Sequence, residues 1–236
     1  MTYRFDEKLH AHTLDGKPLQ GVTTVLSVIS KPALIQWAAN MAVDYLQEHW
    51  GKDGTDNWEQ LCKEARTAHR RKKEKAGDWG TLLHKAIEEY IKNKTITSLD
   101  EKGITAFNHF RAWALENKVE FLESEKHVWS KAEWVGGILD MIAIVNGKKM
   151  ICDIKTSSGI YPEMWAQMGA YHLCLEDMGE HEDIQGYMII NLKKTGEIDL
   201  GLSENTTFNK DYFRAILQVY KLKQIADESI ATRRDV

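Results

Sequence analysis

Two aspartates and a lysine carry the most chemical information in this chain: Asp140, and Asp153 with Lys155 two residues beyond it. Asp140 closes the segment Gly137-Ile138-Leu139-Asp140, and Asp153-Ile154-Lys155 follows the apolar run Met150-Ile151-Cys152. Between them Asn146-Gly147 is a strong two-residue hairpin signal. Strands pairing through that turn bring Asp140 and Asp153 together, while Asp153 and Lys155, two apart on a strand, project to one face. Two carboxylates and an ammonium at the end of an apolar hairpin are costly unless something binds there. A divalent cation such as Mg2+, which takes one or two carboxylates and keeps several waters, meets that need. Asp140 and Asp153 would supply oxygens and the Ile154 carbonyl a further one. Lys155 would then orient a nucleophile or offset charge in the transition state. Taken alone, a D-x-K triplet is more often a salt-bridged strand end, so its neighbours decide.

Those neighbours form a series. Gly80-Thr81-Leu82-Leu83-His84 stands upstream, and Asp153-Ile154-Lys155 continues into Thr156-Ser157-Ser158-Gly159. Gln167-Met168-Gly169-Ala170-Tyr171 follows. Together with Gly137–Asp140, and in this order, the four motifs resemble the RecB-type branch of the PD-(D/E)XK nuclease superfamily over residues 80 to 171. The resemblance implies an α/β, restriction-endonuclease-like fold: a central mixed sheet flanked by helices, with a helical N-terminal elaboration. It also implies hydrolysis of DNA phosphodiester bonds with Mg2+ or Mn2+.

Residue by residue, the resemblance makes His84 a helix-borne metal ligand beside Asp140 and Asp153, and Lys155 the catalytic lysine. An imidazole in the set suits Mn2+ as well as Mg2+, although a lone histidine is more often structural. Gln167 and Tyr171, four apart on one helical face, fall where the family contacts DNA or the attacking water. An ordinary amphipathic helix explains that pair equally well. The family often carries an acid on the strand before G-x-x-D. Glu123 and Glu125 both qualify, on the same strand face, with Glu125 preferred. Glu88, one turn beyond His84, is a candidate support behind the ligand. Leu139 stands where the family's name has proline, with no chemical consequence. The four cysteines that hold an iron–sulfur cluster in some relatives are missing, so the chain resembles the cluster-free members. Gly21-Val22-Thr23-Thr24-Val25-Leu26 resembles a segment of phage-type exonucleases and brings Thr23, Thr24 and Thr156 in as DNA contacts. The implied activity is exonucleolytic, at single-stranded or duplex ends, in phage-like recombination, replication or repair. The alternative is a non-catalytic DNA-binding or accessory recombination protein on the same fold. A single-strand-binding or annealing protein is the implied partner.

The elements that must position these groups are readable from periodicity. Tyr3 to Gln20 alternates around the Asp15-Gly16 turn, and Gly21 to Leu26 enters a short helix. Pro32 opens a helix over Ala33–Trp50, ended by Lys52-Asp53-Gly54. Asn57 to Lys75 reads as a third helix, with Gly77 and Gly80 as punctuation before the helix Thr81–Lys94. Ser98 to Asn117 follows, with Ile104, Phe107, Phe110 and Ala114 on one face. Phe121–Trp129, Gly137–Val145 and Lys149–Ile154 read as strands, Pro162–Met178 as a helix. Ile184–Leu192 and Glu197–Leu202 are strands joined at Thr195-Gly196, and Asp211–Ser229 is a closing helix. Its Tyr212, Phe213, Ile216, Leu217 and Tyr220 suit either a partner surface or the core. No linker divides residues 1–236, so one domain is expected, with 1–78 as the elaboration and 79–236 as the nuclease core.

Composition narrows the class. The chain has 236 residues, 43% hydrophobic and 28% charged, as in a folded globular protein. No apolar run approaches the roughly 20 residues of a membrane span, and Met1–Asp6 opens without a signal-like stretch. A cytoplasmic protein of a bacterial or phage-infected cell is therefore expected, with no membrane partner. Cys62, Cys152 and Cys174 are too scattered for a disulfide framework or metal knuckle. Net charge is −4, yet Lys63 to Lys75 holds seven basic against two acidic residues. Arg66, Arg70, Arg71, Lys72, Lys73 and Lys75 form the candidate phosphate-binding surface, since such contacts supply most non-specific affinity for DNA. A solvated helix face is the plain alternative.

Overall fold

The computed structural model describes residues 1–52 and 57–232. The chain divides into two compact units: Met1–Ile29 together with Leu83–Val236, and Ser30–Leu82. The expected break at Lys52-Asp53-Gly54 falls largely outside the described residues.

The larger unit begins with strands β1 (Tyr3–Asp6), β2 (Ala11–Leu14) and β3 (Lys17–Pro18), a small antiparallel sheet. Asp15 and Gly16 both take positive φ, 48° and 76°, the geometry that a tight turn with this pair favours. The short strand β4 (Gln20–Gly21) leads into the helix α1 (Val22–Leu26), whose Val22, Val25 and Leu26 are buried.

The smaller unit contains α2 (Pro32–His49) and α3 (Trp58–Ala65). Asn57 caps α3 by accepting the Gln60 N–H. Next comes α4 (Ala68–Ile91), which runs on into the larger unit. Here two expectations need correction. The basic stretch is not one helix: it breaks at Arg66-Thr67, where the Thr67 Oγ1 and N–H both bond to the Glu64 carbonyl. Nor do Gly77 and Gly80 interrupt anything, because α4 passes through both. A glycine costs a helix interior only about 1 kcal/mol, and burial of Leu83, Ala86 and Ile87 further along outweighs that.

In the larger unit α5 (Glu101–Glu116) is capped by Asp100, which accepts the Gly103 N–H at 2.7 Å. Its buried face is Phe107, Phe110, Trp113 and Ala114, whereas Ile104 is exposed, contrary to the periodic reading. The main sheet contains β4, β5 (Glu120–Ser130), β6 (Val135–Val145), β7 (Lys148–Lys155), β8 (Gly186–Leu192) and β9 (Ile198–Ser203). It is mixed: β4 with β6 and β7 with β8 are parallel pairs, and the rest are antiparallel. Helices flank it, α6 (Pro162–Met178) and α7 (Thr206–Thr232) joining α1 over a core that includes Leu139, Ile142, Ile151, Tyr171 and Phe213. The α/β class and central mixed sheet expected from the motifs are therefore present.

Two details bear on the site. Gly169 lets α6 touch α7: a Cβ there would lie 2.2 Å from the Asn209 carbonyl oxygen. Phe213, Ile216 and Leu217 are buried and Tyr212 and Tyr220 pack beside them, so this part of α7 belongs to the core and is not a partner surface. Among the described residues no helix is long and apolar enough to cross a membrane.

Candidate active site

The site arises where one strand runs out of partners. Along one edge β6 pairs with β5 over nearly its whole length. Its other edge pairs with β4 at Val135 and Gly136 and with β7 only from Met141 onward. Residues 137 to 140 are left between the two. Asn146 and Gly147 both take positive φ, 50° and 81°, and close the β6–β7 hairpin with Val145 opposite Lys148. That register ends at Met141 opposite Cys152, so Asp140 and Asp153 come next on their strands. Asp140 substitutes for the missing ladder: its Oδ2 accepts the Ile154 N–H at 2.7 Å.

Around Asp140 the expected groups converge. His84 Nδ1 of α4 lies 3.5 Å from Asp140 Oδ2. Glu125 of β5 joins them, with ligand-type atoms of His84, Glu125 and Asp140 all within 4.8 Å of one another. Asp153 is almost wholly buried, at 1% exposure. Lys155 Nζ lies 2.5 Å from its Oδ2 as a charge contact, and neither carboxylate oxygen receives a directed hydrogen bond. Lys155 Nζ also donates to Gln167 Oε1 at 3.2 Å, and Gln167 Nε2 donates to the Tyr171 hydroxyl at 2.8 Å. The spacing of Gln167 and Tyr171 on α6 thus joins a single chain of contacts that begins at Asp153.

Charge crowding leaves its mark on ionisation. Burial, reinforced by Asp140, Glu88 and Asp153 and opposed by Lys92, pushes the Glu125 carboxyl up to about 7. Burial and Asp140 also raise Asp153, against the pull of Lys155 and His84. Burial works to lower the Lys155 ammonium, but Asp153 and Asp140 outweigh it, and its pKa is raised. Burial beside Asp153 holds the Tyr171 hydroxyl firmly neutral.

This geometry also tests the group that such residues would hold. Asp153 has the Lys155 ammonium beside it, but Asp140 and Glu125 crowd the same site with no further cation in the set, and such a cluster of acids is electrostatically incomplete. A divalent cation completes it, and oxygen and imidazole donors suit Mg2+ or Mn2+. The residues present fit the ion.

Glu123 and Glu125 do not share a surface, as simple alternation predicted. The strand register slips between Phe121 and Glu123, and Glu125 takes a left-handed backbone with φ 50°. Glu123 turns to Lys126 and His181, at 3.2 and 3.4 Å, while Glu125 meets the cluster. Glu88 contributes to the field at Glu125 and pairs with Lys92 at 2.7 Å. Thr156 directly follows Lys155 and is half-buried. Thr23 and Thr24 are exposed on α1. That helix is seated beside Tyr171, because a Cβ on Gly137 would meet Tyr171 at 2.7 Å and Val22 at 3.5 Å. Arg66, Arg70, Arg71, Lys72, Lys73 and Lys75 are all exposed in the smaller unit. Arg71 is held there by Thr67 Oγ1 at 2.7 Å and lies over the Tyr45 ring, 5.0 Å from its centroid.

One contributor escaped the motifs. Asn191, fully buried at the end of β8, stands opposite Lys155 in the parallel register. It receives the Ser157 N–H at 3.0 Å and donates to the Ser157 carbonyl at 3.1 Å, pinning the chain just past Lys155. A lone amide in the apolar run Gly186–Leu192 is the signal that could have found it.

No family model matches the chain, and no curated protein matches it. Among solved structures it is similar to an alkaline exonuclease from Laribacter hongkongensis, at 12% identity and a TM-score of 0.39, over 67% of this chain and 97% of that one. A structure of that exonuclease in complex with dAMP is similar at 14% identity and a TM-score of 0.39, over 66% of this chain and 84% of that one. At such distance the likeness is no guide to chemistry, which has to come from the chain's own residues.

Proposed function

We propose that this protein is a metal-dependent deoxyribonuclease that hydrolyses phosphodiester bonds, acting as an exonuclease at single-stranded or duplex ends. The observation that carries this reading is the meeting of His84, Glu125 and Asp140 beside a buried Asp153–Lys155 pair. His84, Asp140 and Asp153 would hold the ion with the Ile154 carbonyl, and Glu125 joins them as a further carboxylate. When bound, Mg2+ or Mn2+ would supply Lewis-acid stabilisation of charge developing on the phosphate.

The chain's own groups do the rest. Lys155 stays charged and is aimed by Gln167, so its ammonium can offset negative charge on the attacked phosphate. Tyr171, neutral and bonded to Gln167, keeps that amide oriented. Thr156 offers a hydroxyl next to Lys155, and Thr23 and Thr24 offer two more on α1. Arg66, Arg70, Arg71, Lys72, Lys73 and Lys75 would neutralise phosphates without reading bases, with residues 30–82 serving as a DNA-holding elaboration of a nuclease core.

The test uses end-labelled linear and circular DNA, single- and double-stranded, with Mg2+ or Mn2+. Asp153→Ala and Lys155→Ala should each abolish release of short products while DNA binding largely survives. Cutting at the wild-type rate by either variant removes the site. Retained DNA binding with no cleavage by the wild type under any metal makes the protein a non-catalytic DNA binder.

A further inference from the structure

The last three turns of α7 have no role in the core or the site. From Lys221 to Ile230 every residue is exposed, although Phe213, Ile216 and Leu217 just before them are buried. Tyr220, which donates to Gln20 at 2.8 Å, and Lys221, which donates to the Glu133 carbonyl, tie this part of α7 to the body. Residues 222–230 beyond them are exposed, in a stretch too short to be a stable isolated helix in water.

Its exposed surface is patterned. Val219, Leu222, Ile225 and Ile230 are all more than half exposed, and with Ala226 they fall on one side of the helix. The charges flanking this stripe have opposite signs at its two ends. Lys223 and Asp227 are four apart, about 40° around the helix, and form one flank. Lys221 and Glu228 are seven apart, about 20°, and form the other. Both pairs are centred within half a residue of Ile225.

We infer that this segment is a homodimerisation helix that pairs antiparallel with the same segment of a second copy of the chain, crossing at Ile225. A two-fold axis at that point sets Lys223 of one copy against Asp227 of the other and Lys221 against Glu228, twice each. The aliphatic stripes close on one another between these flanks. Such an interface is isologous and self-complementary, as a closed dimer requires. A parallel pairing would set the two different flanks together, Lys223 towards Lys221 and Asp227 towards Glu228 of the other copy, and is disfavoured. Three turns per copy make a small interface beside the usual 1,200–2,000 Å2 or so of stable complexes, so association is weak and concentration-dependent. The inference is independent of the nuclease reading.

Sedimentation equilibrium of the full chain from about 1 to about 500 µM spans the range in which so small an interface acts. The mass should rise from one copy to two. Lys223→Asp and Asp227→Lys, each alone, oppose like charges and should weaken association about tenfold or more. An equimolar mixture of these two variants should associate again, because one carries two acids and the other two lysines. The double variant should also recover, and Ile225→Asp should abolish the dimer. All of these positions are exposed, and unchanged circular dichroism confirms intact folding. A single-copy mass throughout, an oligomer larger than two, a dimer indifferent to Lys223→Asp and Ile225→Asp, or a mixture that stays apart each overturns the inference.

Discussion

Replacing Asn191 with alanine isolates one link between the sheet and the proposed chemistry. The amide is fully buried, and both its ends are used on Ser157, two residues after Lys155. Alanine leaves the Ser157 N–H and carbonyl without that partner. A buried polar group left unpaired costs about 1–3 kcal/mol. Ser157 is half-buried and its Oγ is engaged with the Gly159 carbonyl, so water can relieve part of the loss at one of the two groups. Adding the small void left by the missing amide, the expected destabilisation is about 2–4 kcal/mol. Urea denaturation with an unchanged m-value reads this directly. Aspartate at 191 should not rescue it, because a carboxylate still accepts the Ser157 N–H but repels the carbonyl. If the loop carries Lys155 with it, folded Asn191→Ala protein should also lose turnover on DNA at least tenfold with little change in KM. A stability loss below about 0.5 kcal/mol, within ordinary surface effects, refutes the clamp. Full turnover despite the expected stability loss refutes its coupling to Lys155.

Asp140→Asn should keep the fold, since an amide oxygen can still accept the Ile154 N–H, while Asp140→Ala should cost about 1–3 kcal/mol more; both should lose metal-dependent cleavage. Equal stability of the two variants in thermal denaturation denies the carboxylate its ladder role. Glu125 has its pKa raised in the fold, to about 7, so its contribution to metal-free stability is present at low pH and declines as pH rises from about 4.5 through about 7. Glu125→Gln should remove that decline, by an amount on the order of 1–2 kcal/mol after allowance for partial exposure, measured as unfolding free energy against pH. No difference in slope between the two proteins would show that Glu125 ionises as an ordinary carboxyl, and the opposite difference that the fold favours its charged form. Gly169→Ala gains helix propensity but drives a methyl into the Asn209 backbone, so it should destabilise by about 1–3 kcal/mol. A raised melting temperature would mean α6 and α7 do not approach this closely.

The features legible in the sequence were those set by local rules. Asp15-Gly16 and Asn146-Gly147 turn where their dipeptides demand positive φ. Pro162 opens α6 at the expected residue, and Met178 closes it before Gly179 in the left-handed conformation. Once the β6–β7 turn was right, the proximity of Asp140 and Asp153 followed from pairing alone. What escaped depends on tertiary context. Nothing near Gly77 reveals that α4 will run through it, because the offsetting burial comes from Leu83 and Ile87. Ile104 fits an apolar period yet faces solvent, while Trp113 does not fit and is buried. Glu123 and Glu125 look equivalent until an irregular β5 sends them to different neighbours, a departure no period of two can express. The stripe on the end of α7 lies on the side of the helix opposite Phe213, Ile216 and Leu217, so the apolar period that marks the core face does not reveal it.

The local rules that fail around the site fail together. Glu125 adopts a backbone that costs a non-glycine residue about 1–2 kcal/mol. Asp153 is buried without a directed donor, and Asp140 is drawn into a backbone ladder beside two other acids and an imidazole. The first two could each be relieved by a single substitution, glycine at 125 or an apolar residue at 153, and the third by a longer β6–β7 pairing at 140. Scattered violations would be ordinary strain in a large domain. Three of them converging on one gap in the edge of β6, with Lys155, Gln167 and Tyr171 linked behind them, are costs of a common cause. Packing does not supply that cause, since Glu125, Asp140 and Asp153 are not part of the apolar core around Leu139, Ile142 and Ile151. The proposed cation would, because it would turn the crowding of carboxylates from a penalty into a ligand set.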